Sequence, residues 1–334
     1  MPGVPSPAAR RVVVLAGGFG GAKLSHGLAL ASATRAAAGA APLDLSIVVN
    51  TGDDLELHGL CVSPDLDTVM YTLSGWANEA TGWGVRDETW SAKDMLARYG
   101  AETWFGLGDR DLATHLVRTQ ALLEGERLTD VTARLAAALD TPARLLPMTD
   151  DTVRTELLVD GRWLAFQEYF VHRHHAVDVT ALRYAGIDGA APTPEVLAAI
   201  AAAELIVFAP SNPFVSIGTI LAVPGMAEAI AAAPAPVVAV SPIVGGAALR
   251  GPADRMLQTI GGLDASAAGV VAHYRAAHPG LVDAFVVDER DAALADGIRA
   301  GGPEPVVLLD TVMTDHAVRE QLGAAILDRF LPAA

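Results

Sequence analysis

The chain of 334 residues has little cysteine and little positive charge, and each shortage excludes a class of protein. Its single cysteine, Cys61, cannot form an internal disulfide, which predicts a reducing, cytoplasmic environment. The 23 lysines and arginines against 39 aspartates and glutamates give a net charge of −16, which argues against nucleic acid or an anionic membrane surface as a partner. No run reaches the roughly 20 apolar residues of a membrane span. An anionic substrate therefore needs a local cationic pocket.

A glycine-rich turn follows the first apolar run, residues 12–16. It contains Gly17, Gly18, Gly20 and Gly21, with Lys23 just beyond. A strand, a glycine turn and a helix in this order predict a phosphate site, because glycines expose backbone N–H groups and a helix N-terminus carries partial positive charge. Lys23 stands where a dinucleotide fingerprint needs glycine, and Leu24 stands where a Walker A loop needs serine or threonine. The spacing favours the LAGG-x-G loops of nucleotide-dependent transferases, with a plain strand-to-helix turn as the alternative.

An acidic run follows closely in the sequence and contains Asp53, Asp54, Asp65 and Asp67. Carboxylates beside a phosphate site are best explained by a bridging divalent cation, and Mg²⁺ is the expected one. We predict that Asp65 and Asp67 lie on one side of an extended segment, since side chains alternate along a strand, and that Asp54 adds a third oxygen. The alternative is that Asp65 and Asp67 cap a helix beginning near Thr68.

Six apolar runs separated by alanine-rich helical stretches predict the fold. They cover residues 12–16, 45–50, 205–209, 237–241, 284–287 and 306–310. Alternating strands and helices predict an α/β protein with a Rossmann-like, open and mostly parallel sheet that has helices on both faces. We predict a disordered tail over 1–10 and one transferase domain over 11–334, in which residues 70–185 form an inserted α+β cap over the ligand edge. Ser211 and Asn212 follow a predicted strand and are expected at that edge.

The charged segment GDRDLATH at residues 108–115 predicts the start of a helix, with Leu112 and Leu116 on its buried side. Arg110 is either a clamp for a phosphate or carboxylate, or part of a local ion pair at the helix start. Asp109 is either a hydrogen-bond partner for a ligand or an N-cap. Upstream, Trp90 and Lys93 share one helix face, where an aromatic beside a cation can cover a flat ring, although a packed tryptophan is the simpler interpretation.

Several of these motifs together resemble one family. VVVLAGGFGGAKL, VVNTGDDLELHGL, VSPDLDTVMYTL, GWGVRDETW, WFGLGDRDLATHLVRTQ, APSNPFVSIGTIL and SPIVGGAALRGPADRM look like the 2-phospho-L-lactate transferase family of coenzyme F420 synthesis. The resemblance covers about residues 12–320. It implies a Mg²⁺-dependent homodimer that transfers a phospholactyl or phosphoenolpyruvyl group from a guanosine diphosphate-linked donor to the deazariboflavin Fo and releases GMP.

Carried onto this sequence, the resemblance gives each motif a role. It implies Mg²⁺ ligation by Asp54, Asp65 and Asp67. The glycine loop (Gly17, Gly18, Gly20 and Gly21) with Lys23 would hold the diphosphate, and Ser211 with Asn212 the guanosine end. Fo or the acid would be bordered by Asn50, Thr51, Asp53, Lys93, Asp109 and Arg110. Two alternatives remain open: a nucleotidyltransferase that releases pyrophosphate, and a non-catalytic nucleotide-sugar-binding regulator of the gluconeogenesis-factor type.

Overall fold

A computed structural model of the chain describes residues 9–174 and 177–331. Its strands are β1 (Arg10–Ala16), β2 (Leu43–Val49), β3 (Leu55–Leu57), β4 (Leu60–Val62), β5 (Arg144–Pro147), β6 (Arg154–Val159), β7 (Arg162–Ala165), β8 (Ala181–Ala185), β9 (Leu205–Phe208), β10 (Val237–Val240), β11 (Ile243–Val244), β12 (Ala247–Ala248), β13 (Ala284–Asp288) and β14 (Val306–Leu309). Its α-helices are α1 (Gly18–Ala37), α2 (Pro64–Leu73), α3 (Ser91–Arg98), α4 (Asp109–Leu123), α5 (Leu128–Ala138), α6 (Pro194–Ala202), α7 (Ile217–Ala222), α8 (Met226–Ala232), α9 (Ala253–Thr259), α10 (Ala267–Ala277), α11 (Ala295–Ala300) and α12 (His316–Phe330).

Seven strands form one sheet in the order β14-β13-β10-β9-β1-β2-β5, and every neighbouring pair is parallel. The chain runs outward from β1 through β2 to β5, then returns to place β9 beside β1 and runs outward on the other side. The strand order therefore reverses between β1 and β9. In open α/β sheets this switch point opens a crevice at the carboxyl ends of the strands. The predicted Rossmann-like fold is confirmed.

Side chains of β1 alternate between two hydrophobic cores, one on each face of the sheet. Val13 and Leu15 enter the core beneath α6, α7 and α10. Val12 and Val14 enter the core beneath α1, α2, α5 and α12. Two antiparallel hairpins, β3–β4 and β11–β12, and a three-stranded sheet in the order β7-β6-β8 lie outside the main sheet.

Helix α12 approaches α1 closely through two glycines. A methyl group on Gly323 would meet the backbone of Gly27 at 2.6 Å, and one on Gly27 would meet the carbonyl oxygen of Arg319. Leu322 and Ile326 of α12 join Leu24 and Leu28 of α1 in the same core. The C-terminal helix therefore covers the helix that follows the glycine turn.

Several predicted boundaries need correction. Most of the predicted tail, residues 1–8, lies outside the described residues, and β1 already includes residue 10. Strand β5 lies within residues 70–185 but is the edge strand of the main sheet, so this part of the range is not a cap. The expected strand over 163–170 ends at Ala165 and is followed by a short π-helix, Glu168–His172. The rest of the domain division stays a prediction.

Candidate active site

The glycine turn lies at the switch point and is locked to the segment that follows β9. The Gly17 amide donates to Ser211 Oγ at 3.2 Å, and Ser211 Oγ donates back to the Gly17 carbonyl at 2.8 Å. A side chain on Gly20 would collide with the carbonyl oxygen of Pro210. Within this turn only Gly18, at φ +59°, uses the left-handed conformation. Gly17, Gly20 and Gly21 are needed instead because neighbouring atoms come too close for a Cβ.

A carboxylate already binds the start of α1. Asp65 Oδ1 accepts from the Gly18 amide at 2.8 Å, and Asp65 Oδ2 accepts from Asn50 Nδ2 at 3.0 Å. The same Asn50 amide group donates to the Val215 carbonyl at 3.2 Å, and Asn50 Oδ1 accepts from the Gly52 amide at 2.9 Å. Asn50 therefore ties the end of β2 to α2 and to the loop before α7.

Two further carboxylates are buried after β2. Asp53 and Asp54 are 4% and 6% exposed, and one oxygen of each, Oδ1, has no hydrogen-bond partner among the described residues. Burial raises the pKa of Asp54 to about 7 and that of Asp65 to about 6. Burial and then the adjacent Asp65 also raise the pKa of Asp53. Buried acceptors without partners are rare and costly, so these oxygens indicate a ligand.

The expected geometry of Asp65 and Asp67 is wrong. Both lie in the first turn of α2, which begins at Pro64 rather than near Thr68, with Ser63 as N-cap residue. Residues two apart on a helix point in different directions because each residue turns by about 100°. Asp65 contacts the Gly18 amide, whereas Asp67 forms an ion pair with Arg118.

Arg118 belongs to a buried polar network that the sequence did not reveal. Its side chain is 1% exposed, and both terminal nitrogens donate to Asp67. Burial alone would lower the pKa of Arg118, but the Asp67 carboxylate raises it overall. His115 lies 3.6 Å from Asp67 Oδ2 and 3.3 Å from Asp111 Oδ1, and the hydroxyl of Tyr71 donates to Asp111 at 2.9 Å. The network stands directly behind the acidic run.

A signal for this network was present in the sequence. Asp111, His115 and Arg118 are spaced i, i+4 and i+7, so they share one face of α4. We predicted Leu112 and Leu116 on the buried side, but Leu116 is 52% exposed and the polar stripe faces inward. The prediction failed because an acidic cluster beneath the helix favours buried cationic partners over apolar ones.

Cationic side chains gather on the other side of the glycine turn. Lys23 donates to the Met313 carbonyl at 2.9 Å, and burial, followed by the charges of Arg319 and Arg250, lowers its pKa. Arg250 stacks on the Phe19 ring at 4.8 Å and donates to the Thr81 carbonyl at 2.8 Å. Buried Arg319 pairs with Glu79 at 2.5 Å. This is a local cationic area on a strongly acidic protein.

The remaining predicted residues have structural partners. Asp109 caps α3, since its carboxylate accepts from the Ser91 amide at 3.0 Å and the Ala92 amide at 2.9 Å. Arg110 Nη1 donates to the Arg86 carbonyl at 3.0 Å. Asn212 Oδ1 accepts from the Phe214 amide at 2.9 Å.

Lys93 lies 5.2 Å from the centre of the Trp90 ring. The hydroxyl of Thr51 is buried and has no hydrogen-bond partner in the part of the chain that the structure describes. Of the predicted residues near the glycine turn, Thr51 thus joins Asp53 and Asp54 in having a buried polar atom available to a ligand.

The residues present fit a divalent cation. Asp53 and Asp54 each supply a buried oxygen without a partner, Asp65 lies close to Asp53, and carboxylate oxygens are the ligands that Mg²⁺ prefers. A second group, Asp67, Asp111 and His115, has one potential ligand atom from each residue within 4.8 Å of the others. In that group the Arg118 guanidinium already supplies the positive charge beside Asp67.

A phosphate-type glycine turn beside buried carboxylates, at the switch point of a parallel sheet, defines a Rossmann-like transferase. The family model for 2-phospho-L-lactate transferase CofD matches residues 12–327, and the chain belongs to this family. A phosphoenolpyruvate transferase of Kitasatospora aureofaciens is 48% identical over 94% of this chain and 98% of its own length. One of Streptomyces coelicolor is also 48% identical, with the same coverage. The chain is therefore a transferase of coenzyme F420 biosynthesis.

Solved structures support the fold alone. A UPF0052 family protein from Bacillus halodurans superposes with a TM-score of 0.65 at 16% identity and covers 96% of this chain and 99% of its own. Among the described residues, no helix is both long enough and apolar enough to cross a membrane.

Proposed function

We propose that the chain transfers a phosphoenolpyruvyl or phospholactyl group from a guanosine diphosphate-linked donor to the ribityl hydroxyl of Fo, releasing GMP. The observation that carries the proposal is the packing of the glycine turn against Asp65, beside two buried carboxylates with unpartnered oxygens. Similarity to relatives named phosphoenolpyruvate transferase over 94% of the chain favours the enolpyruvyl donor.

In this proposal the donor diphosphate lies at the start of α1. Asp65 already accepts the Gly18 amide, so the N–H groups of Phe19 and Gly20 are the next that a phosphate would meet. Lys23 and Arg250 would neutralise its charge from the other side. The segment with Ser211 and Asn212 would border the guanosine, since it is locked to the same turn.

Asp53, Asp54 and Asp65 would hold Mg²⁺ in this scheme. When bound, the ion would neutralise charge on the phosphate oxygens. Asp67 would act through Arg118, whose positive charge reduces repulsion among the buried carboxylates. Asn50 fixes Asp65, and Thr51 offers a hydroxyl.

The reaction forms a bond from the acceptor oxygen to the phosphorus that carries the small acid, and breaks the bond from that phosphorus to the GMP oxygen. The acceptor hydroxyl loses its proton. Lys93 and Arg110 would border Fo or the acid, while Asp109 positions α3. Alignment of the acceptor with the phosphorus and neutralisation of charge would supply most of the rate enhancement.

The test is incubation of the purified chain with Fo, Mg²⁺ and each guanosine donor in turn, followed by mass spectrometry of the products. We expect Fo extended by the phospho-acid together with an equal amount of GMP, and no product from Asp65→Asn. Donor binding without any product would instead favour the regulator. Pyrophosphate released from a nucleoside triphosphate would favour the nucleotidyltransferase.

We also propose that the protein acts in the cytoplasm as a homodimer. The single cysteine supports the first statement, and the family resemblance supports the second. Light scattering of the purified chain measures its mass directly, and a monomer at micromolar concentration would contradict the dimer.

A further inference from the structure

Three tryptophans lie half exposed in one short segment near the glycine turn. Trp76, Trp83 and Trp90 are 37%, 43% and 37% exposed. Trp83 and Trp90 meet edge to face, with ring centres 6.2 Å apart, and Lys93 lies 5.2 Å from the Trp90 ring centre. Aromatic rings usually gain stability by burial, so a paired cluster open to solvent indicates a surface that a ligand covers.

Gly106 keeps this surface open. A Cβ on Gly106 would contact the Trp83 ring at 3.3 Å, the Trp90 ring at 3.5 Å and Lys93 Nζ at 3.6 Å. Any larger residue would place its side chain against both rings. We call Trp83, Trp90, Lys93 and Gly106 the tryptophan platform.

Hydrogen bonds hold the tryptophan platform in place before any ligand arrives. Trp90 immediately precedes α3, whose first amides are held by Asp109. Glu88 accepts from the amides of Arg110 and Asp111 at 2.7 and 3.1 Å, which attaches the segment to the start of α4. A preorganised aromatic surface binds a flat ring at a lower entropic cost.

The tryptophan platform adjoins the proposed reaction centre. Gly82, next to Trp83, packs so closely on Phe19 of the glycine loop that a Cβ would meet the ring at 2.8 Å. On its other side, α4 carries Asp111 and His115 to the Asp67 network. A ring on the tryptophan platform would thus lie beside the diphosphate site, as an acceptor must.

We infer that the tryptophan platform binds the deazaflavin ring of the acceptor by stacking, an inference that rests on the proposed function. Charge selects this ring over guanine. The 8-hydroxyl of Fo is conjugated to an electron-withdrawing pyrimidinedione and is therefore more acidic than a simple phenol, whereas guanine is neutral at pH 7. The Lys93 ammonium beside the rings stabilises an anionic ring oxygen.

The chain offers a matched control. Trp163 on β7 is 38% exposed and has the Arg183 guanidinium 4.3 Å from its ring centre, so it is also a half-exposed tryptophan paired with a cation. It lies on the separate three-stranded sheet. Trp163→Leu therefore reports the effect of losing such a tryptophan away from the tryptophan platform.

The experiment measures equilibrium dialysis of Fo alone, without donor, against wild type, Trp83→Leu, Trp90→Leu and Trp163→Leu. We expect the first two substitutions to raise the Fo dissociation constant about tenfold or more, within the range of ring stacking on aromatic side chains, and Trp163→Leu to leave it unchanged. Lys93→Met should weaken binding most above the pKa of the ring hydroxyl, and Lys93→Arg should restore it. Melting temperatures check that each variant folds.

The outcomes separate this inference from the proposed function. If wild type forms product while Trp83→Leu and Trp90→Leu bind Fo normally, the stacking inference is wrong and the function stands. If both variants instead lose affinity for GDP but keep it for Fo, the tryptophan platform serves the donor and the inference is also wrong. Platform-dependent Fo binding without any turnover would uphold the inference and overturn the function.

Discussion

Asp65 and Asp67 should behave as two different kinds of residue, although they lie two positions apart. Asp67→Asn leaves the Arg118 guanidinium, 1% exposed, without a charged partner. Removing one member of a buried ion pair costs about 3–5 kcal/mol of unfolding free energy. Asp65→Asn replaces a carboxylate that accepts two hydrogen bonds and whose pKa burial raises to about 6, so we expect a loss of about 1–2 kcal/mol.

Magnesium should reverse the ranking. A ligand that binds only the folded state adds about 2.7 kcal/mol at a hundredfold excess over its dissociation constant. We expect Asp67→Asn to keep most of this gain and Asp65→Asn to lose it. Urea denaturation with and without Mg²⁺ measures both quantities, provided that the slope against urea concentration is unchanged.

A double-mutant cycle provides the control. Arg118→Met alone strands the Asp67 carboxylate, whereas Asp67→Asn with Arg118→Met leaves no buried charge. The double variant should therefore lose less stability than the sum of the single variants, by about 2 kcal/mol or more. The reasoning is refuted if Asp67→Asn unfolds like wild type but no longer responds to Mg²⁺, because Asp67 would then be a metal ligand rather than the partner of Arg118.

Two further predictions concern stability. Gly20→Ala should lower the melting temperature sharply because the new methyl group meets the Pro210 carbonyl, whereas Gly297→Ala, in a helix with open space around the Cβ, should be neutral or stabilising by up to about 1 kcal/mol; equal melting shifts would contradict this. Burial, followed by His316 and Arg319, lowers the pKa of His26 to about 4, so its contribution is complete above the unfolded value near 6.5 and is lost as the pH falls towards 4. His26→Asn should flatten urea stability between pH 6.5 and 4 by up to about 1.4 kcal/mol per pH unit, and an unchanged slope would disprove it.

The sheet could be predicted from sequence because its strands are buried on both faces. Such strands appear as continuous apolar runs, and six of the seven were found this way. The missed strand, β5, is a four-residue edge strand, RLLP, that begins with an exposed arginine. Its single neighbour leaves it with a weaker apolar pattern than the central strands.

The site was only partly predictable. Glycines, Asn50 and Asp54 stand at strand ends, and position along the chain is enough to bring them together. Arg118 and Glu88 act across tertiary contacts, 51 residues from Asp67 and 22 from Arg110, and a single sequence does not pair residues at such distances. Asp65 and Asp67 were placed in the wrong local geometry because DLD alternates like a strand, whereas Pro64 begins a helix.

The packing of α12 on α1 affects the order in which the molecule is made. During translation α1 leaves the ribosome early, and its apolar residues Leu24 and Leu28 are covered by α12 only when one of the last segments emerges. β1 also waits for β9 before both of its edges are paired. The layer over the glycine turn therefore closes only near the end of synthesis, and a nascent chain halted before α12 should engage chaperones through the uncovered helix.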